Sequence, residues 1–190
     1  MSALTPAFAA LSRRWGVLDI PDERKVHRSP IPRWGGGAIA AGVFAALGTL
    51  AILAPRFRGL LAYQHRLVKD GQVVGTLSLG SQLTGILLGA SFCVGLGMWD
   101  DRRSLPAVVK LLAQIIAAYV AMMYGVRMAG LALPGLGFVE FPLFLSQIIT
   151  LLWLLGFMNA INLADGLDGL AAGLAAIAAV TFLFVALLQG

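Results

Sequence analysis

The sequence predicts an all-α fold, a polytopic bundle of transmembrane helices. Of its 190 residues 59% are hydrophobic and only 12% are charged. Mean hydropathy is +0.87, more apolar surface than a soluble domain of this size can hide. Five apolar runs, each of about 20 residues and nearly free of charge, are long enough to cross a bilayer. The charged residues, prolines and many of the glycines collect between those runs.

Met1 to Leu11 is a short apolar piece followed by Arg13 and Arg14. A secretory signal carries its charge before the apolar run, so this one reads as the tail of a helix. Gly16 to Gly37 holds three prolines and closing glycines, which exclude a regular helix through it, and reads as a loop at the membrane surface. The five spans are Gly35 to Ala54, about Leu77 to Met98, about Leu105 to Tyr124, Phe141 to about Met158, and Leu170 to Leu188. Pro55 to Gly75 and Gly125 to Glu140 read as polar or glycine-rich loops. Residues 1–190 are taken as one integral membrane domain, with 15–36 as its cytoplasmic motif loop. Cys93 lies inside an apolar run and reads as a small buried hydrophobe, with no disulfide framework.

Alternation of the spans brings three polar clusters to one face: the Arg-rich opening loop, Asp100-Asp101, and Asn159 to Asp168. That face carries nine of the Lys and Arg residues and the opposite face five, which makes it cytoplasmic under the positive-inside rule.

The third cluster, Asn-Ala-Ile-Asn-Leu-Ala-Asp-Gly-Leu-Asp-Gly over 159–169, separates two apolar runs. An Asp at the centre of a membrane helix costs roughly 2.5–3.5 kcal/mol, so two Asp and two Asn belong at an interface or along a polar cavity. Asp165 and Asp168 are three apart and would share a helix face if a helix begins there. The plainer alternative is two Asp-Gly turns, with Asn159 and Asn162 as helix-end caps. The Asp100-Asp101 pair suits a site for Mg²⁺ and a diphosphate, because that hard cation is usually held by one or two carboxylates, waters and substrate phosphates. Its plainer alternative is an Asp-rich turn with Ser104 as N-cap of the next helix. Lys110, one turn into the third span with Gln114 four residues on, needs an anionic partner, which a phosphate would supply, or else snorkels to the interface. His27, among Arg24, Lys25 and Arg28, reads on its own as a solvated loop residue.

Asp19 to Gly36 (Asp-Ile-Pro-Asp-Glu-Arg-Lys-Val-His-Arg-Ser-Pro-Ile-Pro-Arg-Trp-Gly-Gly), Gly97-Met-Trp-Asp-Asp with Leu105 and Lys110-x-x-x-Gln114, and the run from Asn159 to Leu170 together resemble the motifs of the polyprenyl-phosphate N-acetylhexosamine-1-phosphate transferases, glycosyltransferase family 4. The form Arg-Lys-x-His-x-x-Pro-x-Pro resembles the WecA/TagO branch, which uses UDP-N-acetylglucosamine, more than the MraY branch, which uses UDP-MurNAc-pentapeptide.

The resemblance implies transfer of a sugar 1-phosphate, GlcNAc-1-phosphate by preference, from a UDP-N-acetylhexosamine to undecaprenyl phosphate, releasing UMP, at the cytoplasmic face of a bacterial inner membrane. It implies Mg²⁺, with Mn²⁺ as a substitute. It assigns Asp100 and Asp101 to the metal and the acceptor phosphate. Asp165 and Asp168 would organise the metal and nucleotide sugar, with Asp168 a metal ligand beside Asp100 and Asp101. Asn159 and Asn162 would supply hydrogen bonds, and Lys110, Arg24 and Lys25 would attend phosphate charge, with His27 as a contributor. The lipid bilayer is the expected partner, with a homodimer allowed and no nucleic acid expected. Family members carry more spans than five, and a later Gly-Asp-x-Gly motif and a His-rich loop, so the 190 residues look like an N-terminal part that does not turn over substrate by itself. Two readings from other classes stand beside the enzyme: a cation transporter, which would want its acids at mid-membrane, and a non-catalytic membrane fragment or assembly partner.

Overall fold

The computed structural model describes residues 3–21, 29–69, 72–166 and 169–189. Two compact units divide the chain, Met1–Arg127 and Met128–Gly190.

The first unit is built on helices α1 (Leu4–Arg14), α2 (Gly35–Leu53), α3 (Pro55–Ala62), α4 (Leu79–Arg102) and α5 (Ala107–Met123). Strands β1 (Leu18–Asp19) and β2 (Ile31–Pro32) form a short antiparallel ribbon, and β3 (Gln64–Lys69) and β4 (Gln72–Ser78) form a longer one. α4 is the hub, with α2, α3 and α5 packed on it and α1 on α2.

Helix is the obligatory form for the apolar runs, since backbone groups facing hydrocarbon must bond within their own segment. The boundaries have local causes. Pro55 pushes Ala54 to an extended φ of −109°, which ends α2, and itself occupies the first turn of α3. Ser78 starts α4 by accepting the Ser81 N–H at 2.9 Å. Both α1 and α5 stop at a left-handed glycine. Gly16 (φ 67°) lets Val17 N–H reach Ser12 C=O at 2.9 Å, and Gly125 (φ 92°) lets Val126 N–H reach Ala121 C=O at 3.2 Å. Each is a Schellman closure that satisfies carbonyls the helix would otherwise leave open.

α4 and α5 form an antiparallel pair whose backbones approach closely. A Cβ on Gly89 would sit 2.7 Å from the Ala117 carbonyl oxygen, and one on Gly85 would sit 2.4 Å from the Tyr124 Cβ. Ala113, Ala117 and Ala121 are buried against them. Small residues four apart on both helices allow this contact, which is how membrane helices gain packing without a hydrophobic force between them. The spacing Gly85-x-x-x-Gly89 was readable in the sequence as a packing signal.

In the second unit, β5 (Gly130–Leu133) and β6 (Gly137–Glu140) form a hairpin, followed by α6 (Leu143–Ala164) and α7 (Leu170–Gln189). Ser146 and Thr150, both buried and one turn apart on α6, bind the backbone of Met128. The Ser146 hydroxyl donates to its carbonyl at 2.6 Å, and its N–H donates to Thr150 Oγ1 at 2.9 Å.

Among the described residues there are thus four helices long and apolar enough to cross a membrane, α2, α4, α6 and α7, with α5 apolar but shorter at 17 residues. The chain is a multi-pass membrane protein. Several sequence expectations change in detail. The opening helix includes Arg13 and Arg14 instead of ending before them, because its closure falls at Gly16. The surface loop contains the β1–β2 ribbon. Pro55 to Gly75 is not an open loop but α3 followed by most of the β3–β4 hairpin, and Gly125 to Glu140 contains the β5–β6 hairpin. Ser104 does not cap α5, whose N-cap is Pro106. Proline already fixes the extended approach to that helix, so no side-chain cap is formed.

Candidate functional site

Asp100 and Asp101 occupy the last turn of α4. Asp100 is engaged on both oxygens. Its Oδ1 accepts the Leu105 N–H at 2.7 Å, and its Oδ2 pairs with Lys110 Nζ at 2.6 Å. The chain reverses through Arg103 to Pro106, and that reversal brings a lysine from the first turn of α5 back to the end of α4. A second latch closes the far end of the helix pair, where Gln82 Nε2 donates to Gly125 C=O at 2.9 Å and the Ser81 hydroxyl donates to Tyr124 C=O at 3.3 Å.

Asp101 differs from its neighbour. Its carbonyl accepts from the Arg33 guanidinium at 3.5 Å, while its half-buried carboxylate makes no ion pair among the described residues. Arg33 is itself held in place. Nε donates to Asp19 Oδ1 at 3.1 Å, a second guanidinium nitrogen pairs with the same oxygen, and the backbone N–H reaches Val17 C=O at 3.3 Å. Ser12, fully buried, joins α1 to this assembly by donating its hydroxyl to Val17 C=O and accepting the Arg33 N–H at 3.3 Å. Next to it, the Trp34 indole N–H donates to Met98 C=O at 3.3 Å. The opening cluster and the Asp100-Asp101 cluster are therefore joined by direct contacts. Sequence reasoning counted Arg33 only as a basic loop residue and gave no separate role to Asp19, Trp34 or Ser12. The signal available was the Asp19…Arg33 pair of opposite charges flanking a proline-rich segment.

In the second unit, Asn159 and Asn162 lie within the last two turns of α6, and Asp165 is its C-cap. The three positions follow one another at intervals of three along one side of the helix end, and all three are exposed. Asn159 Nδ2 donates to Leu155 C=O at 2.8 Å. The condition on which Asp165 and Asp168 would share a helix face, a helix beginning at Asp165, is not met, while the span expected from Leu170 begins there. α6 ends at Ala164 and α7 begins at Leu170, after Gly169 at φ 79°, so Asp165 closes one helix instead of opening the next. The two Asp-Gly pairs break the run because Asp competes for nearby backbone groups and Gly disfavours helix. Asp168, Arg24, Lys25 and His27 lie outside the described residues.

The α4–α5 turn and the end of α6 both fall within residues 83–190, which match the model of the family described as Glycosyl transferase family 4. The chain belongs to glycosyl transferase family 4. Among curated relatives of this family, it is 34% identical over 193 residues to a Bacillus subtilis (strain 168) protein named "Probable undecaprenyl-phosphate N-acetylglucosaminyl 1-phosphate transferase", an alignment covering 98% of this chain and 45% of that protein. It is 34% identical over 165 residues to the decaprenyl-phosphate N-acetylglucosaminephosphotransferase of Mycobacterium leprae (strain TN), covering 86% and 37%. A phospho-N-acetylmuramoyl-pentapeptide-transferase of Limosilactobacillus fermentum is 38% identical over 134 residues, covering 64% and 38%. The chain thus spans less than half the length of these three relatives. No solved structure matches it.

The donor set of the α4 end is made only of carboxylate oxygens, which suits a hard cation and not a thiolate- or imidazole-seeking one. Among the described residues no group of three or more His, Cys, Asp or Glu could cage a metal. A cation held by one or two carboxylates and completed by waters and substrate phosphates fits that arrangement.

Proposed function

We propose that this chain carries part of the active site of a polyprenyl-phosphate N-acetylhexosamine-1-phosphate transferase acting at the cytoplasmic face of a bacterial inner membrane. The observation that carries the reading is the α4–α5 turn. It holds a carboxylate free of ion pairs among the described residues, Asp101, beside a lysine that already neutralises a second one, in a chain whose relatives are named for this class of transfer.

The reaction joins undecaprenyl phosphate to the sugar-bearing phosphorus of a UDP-N-acetylhexosamine. A phosphate oxygen of the lipid forms a bond to that phosphorus, the bond to the bridging oxygen breaks, and UMP leaves with that oxygen. GlcNAc is the hexosamine favoured by the relatives' names. Mg²⁺, held by Asp100, Asp101 and Asp168, would spread the charge developing on the diphosphate oxygens.

This chain's own residues supply placement and charge. Lys110 pairs with Asp100, which holds its ammonium at the end of α4, where it would attend the charge of a phosphate. Asp101 would help hold the cation beside the acceptor phosphate. Asn159, Asn162 and Asp165 offer amide and carboxylate groups along one side of α6 to the nucleotide sugar, with Asp168 beyond them. Arg24 and Lys25 would attend the phosphate charge, with His27 as a contributor to the site. The test is an assay of the full-length protein with UDP-N-acetylglucosamine, undecaprenyl phosphate and Mg²⁺. Release of UMP with formation of a lipid-linked sugar is expected, together with exchange of labelled UMP into the UDP-sugar. A stable, membrane-inserted protein giving neither product nor exchange with any UDP-N-acetylhexosamine rules the reading out.

A further inference from the structure

Three of the four tryptophans gather at one end of α4, on a face the carboxylates do not share. Trp99, Arg102 and Arg103 are spaced i, i+3 and i+4, so they project from one side of the helix, while Asp100 reaches toward α5. With Trp15, Trp34 and Met98 they line an open cleft of about 470 Å³. The Arg102 guanidinium lies over the Trp15 ring, 5.3 Å from its centroid, and the Trp15 and Trp34 rings are 5.9 Å apart. A second cleft of about 650 Å³ shares Trp15 and Arg102 and is bounded also by Leu11 and Arg14.

Among the described residues, no carboxylate lines either cleft. Trp15 and Trp99 remain 53% and 59% exposed, and Arg102 and Arg103 are exposed as well. Within a soluble protein such a surface would be an ill-covered patch. At the end of a membrane span the same combination matches a specific environment, because amphipathic rings favour headgroup depth and guanidinium groups attract anionic lipid phosphates there. The Arg102–Trp15 contact fixes one guanidinium in place, which reduces the ordering cost of binding.

We propose that the Trp15–Trp99–Arg102–Arg103 cleft binds the phosphodiester headgroup of an anionic glycerophospholipid, with the rings against its glycerol and upper acyl chain. The site is separate from the Asp100-Asp101 pair and does not depend on the transferase reading. Its occupant would anchor the joint between α1 and α4, where the opening cluster meets the carboxylates. The same phosphate chemistry could come from free phosphate, so the experiment separates the two sources.

The full chain, carrying Trp153→Phe to silence the fourth tryptophan, is placed in vesicles of phosphatidylcholine containing either dibrominated phosphatidylglycerol or dibrominated phosphatidylcholine at equal mole fraction. Tryptophan quenching about twofold greater with the anionic bromolipid is expected, as enrichment of an anionic lipid around fixed guanidinium groups implies. Arg102→Gln with Arg103→Gln should bring the two lipids to equal quenching, and Arg102→Lys with Arg103→Lys should keep most of the preference. Should the Gln pair lose helical circular dichroism, Arg103→Gln alone serves, with a reduced but measurable drop expected. Equal quenching by both lipids in the unmutated arginine background overturns the proposal. So does a preference that survives in a folded Gln pair, or one abolished by millimolar inorganic phosphate, which would make the cleft a phosphate site.

Discussion

The α4–α5 turn and the end of α6 both place acidic and amide side chains at the end of an apolar helix, yet they hold them differently. At the first, Asp100 is bound by a backbone N–H and a lysine from the next helix, and Asp101 stands beside an arginine fixed by Asp19. At the second, Asn159, Asn162 and Asp165 are exposed along one side of α6, and the contact made by the Asn159 amide nitrogen returns to its own helix. The first is preorganised by long-range contacts. The second sets its side chains out in a row along the exposed end of one helix. Charge placed by contacts between elements costs little to reorganise when a diphosphate binds, which is the property phosphoryl transfer asks of its cation site.

The sharpest way to probe this contrast is turnover of the full-length protein. Asp101→Asn removes the carboxylate that no described cation neutralises, and is expected to lower UMP release on the order of 10²–10³-fold while leaving expression and detergent stability intact. A rate within a few-fold of the unmutated protein would remove Asp101 from the site.

Geometry of the preorganised region is tested next. Gly89→Val would drive a side chain into the Ala117 carbonyl and should lower thermal stability in detergent by about 1–3 kcal/mol, whereas Gly95→Ala, with nothing within 4 Å of the added carbon, should be nearly silent. Equal behaviour of the two variants would contradict the close α4–α5 approach.

A smaller effect is expected from the latch itself. Lys110 and Asp100 side chains are 41% and 25% exposed, so their coupling in a double-mutant cycle of Lys110→Met and Asp100→Asn should stay below about 1 kcal/mol of stability. A larger coupling would mean that the pair is a structural bridge more than a charge held ready. Smallest of all, Asn162→Ala on the exposed side of α6 should shift stability by no more than about 0.5 kcal/mol. A marked loss of thermal stability would show that the end of α6 is as tightly engaged as the α4–α5 turn.

The sequence by itself determined which runs are long and apolar enough to cross a membrane and which polar residues stand out as site candidates. Span length is a property of consecutive residues, so the runs that became α2, α4, α6 and α7 were legible without partners, and α5 was legible apart from its length. Prolines 55, 106 and 142 stand at helix starts by local backbone restriction, whereas hydropathy alone starts the third span at about Leu105 and the fourth at Phe141. The motifs around Asp100 and Asn159 stood out because polar groups beside apolar spans are costly. Tertiary structure decided what those groups touch. That Lys110 meets Asp100 depends on the reversal at Pro106, and that Arg33 meets Asp19 and the Asp101 carbonyl depends on the ribbon closed after Gly16. The hairpins at 64–78 and 130–140 likewise escaped a hydropathy reading, because strand pairing is a relation between segments that composition does not record. Whether Asp165 closes one helix or opens the next stayed open in the sequence for the same kind of reason. A spacing of three residues is compatible with either helix, and only the observed end of α6 at Ala164 decides between them.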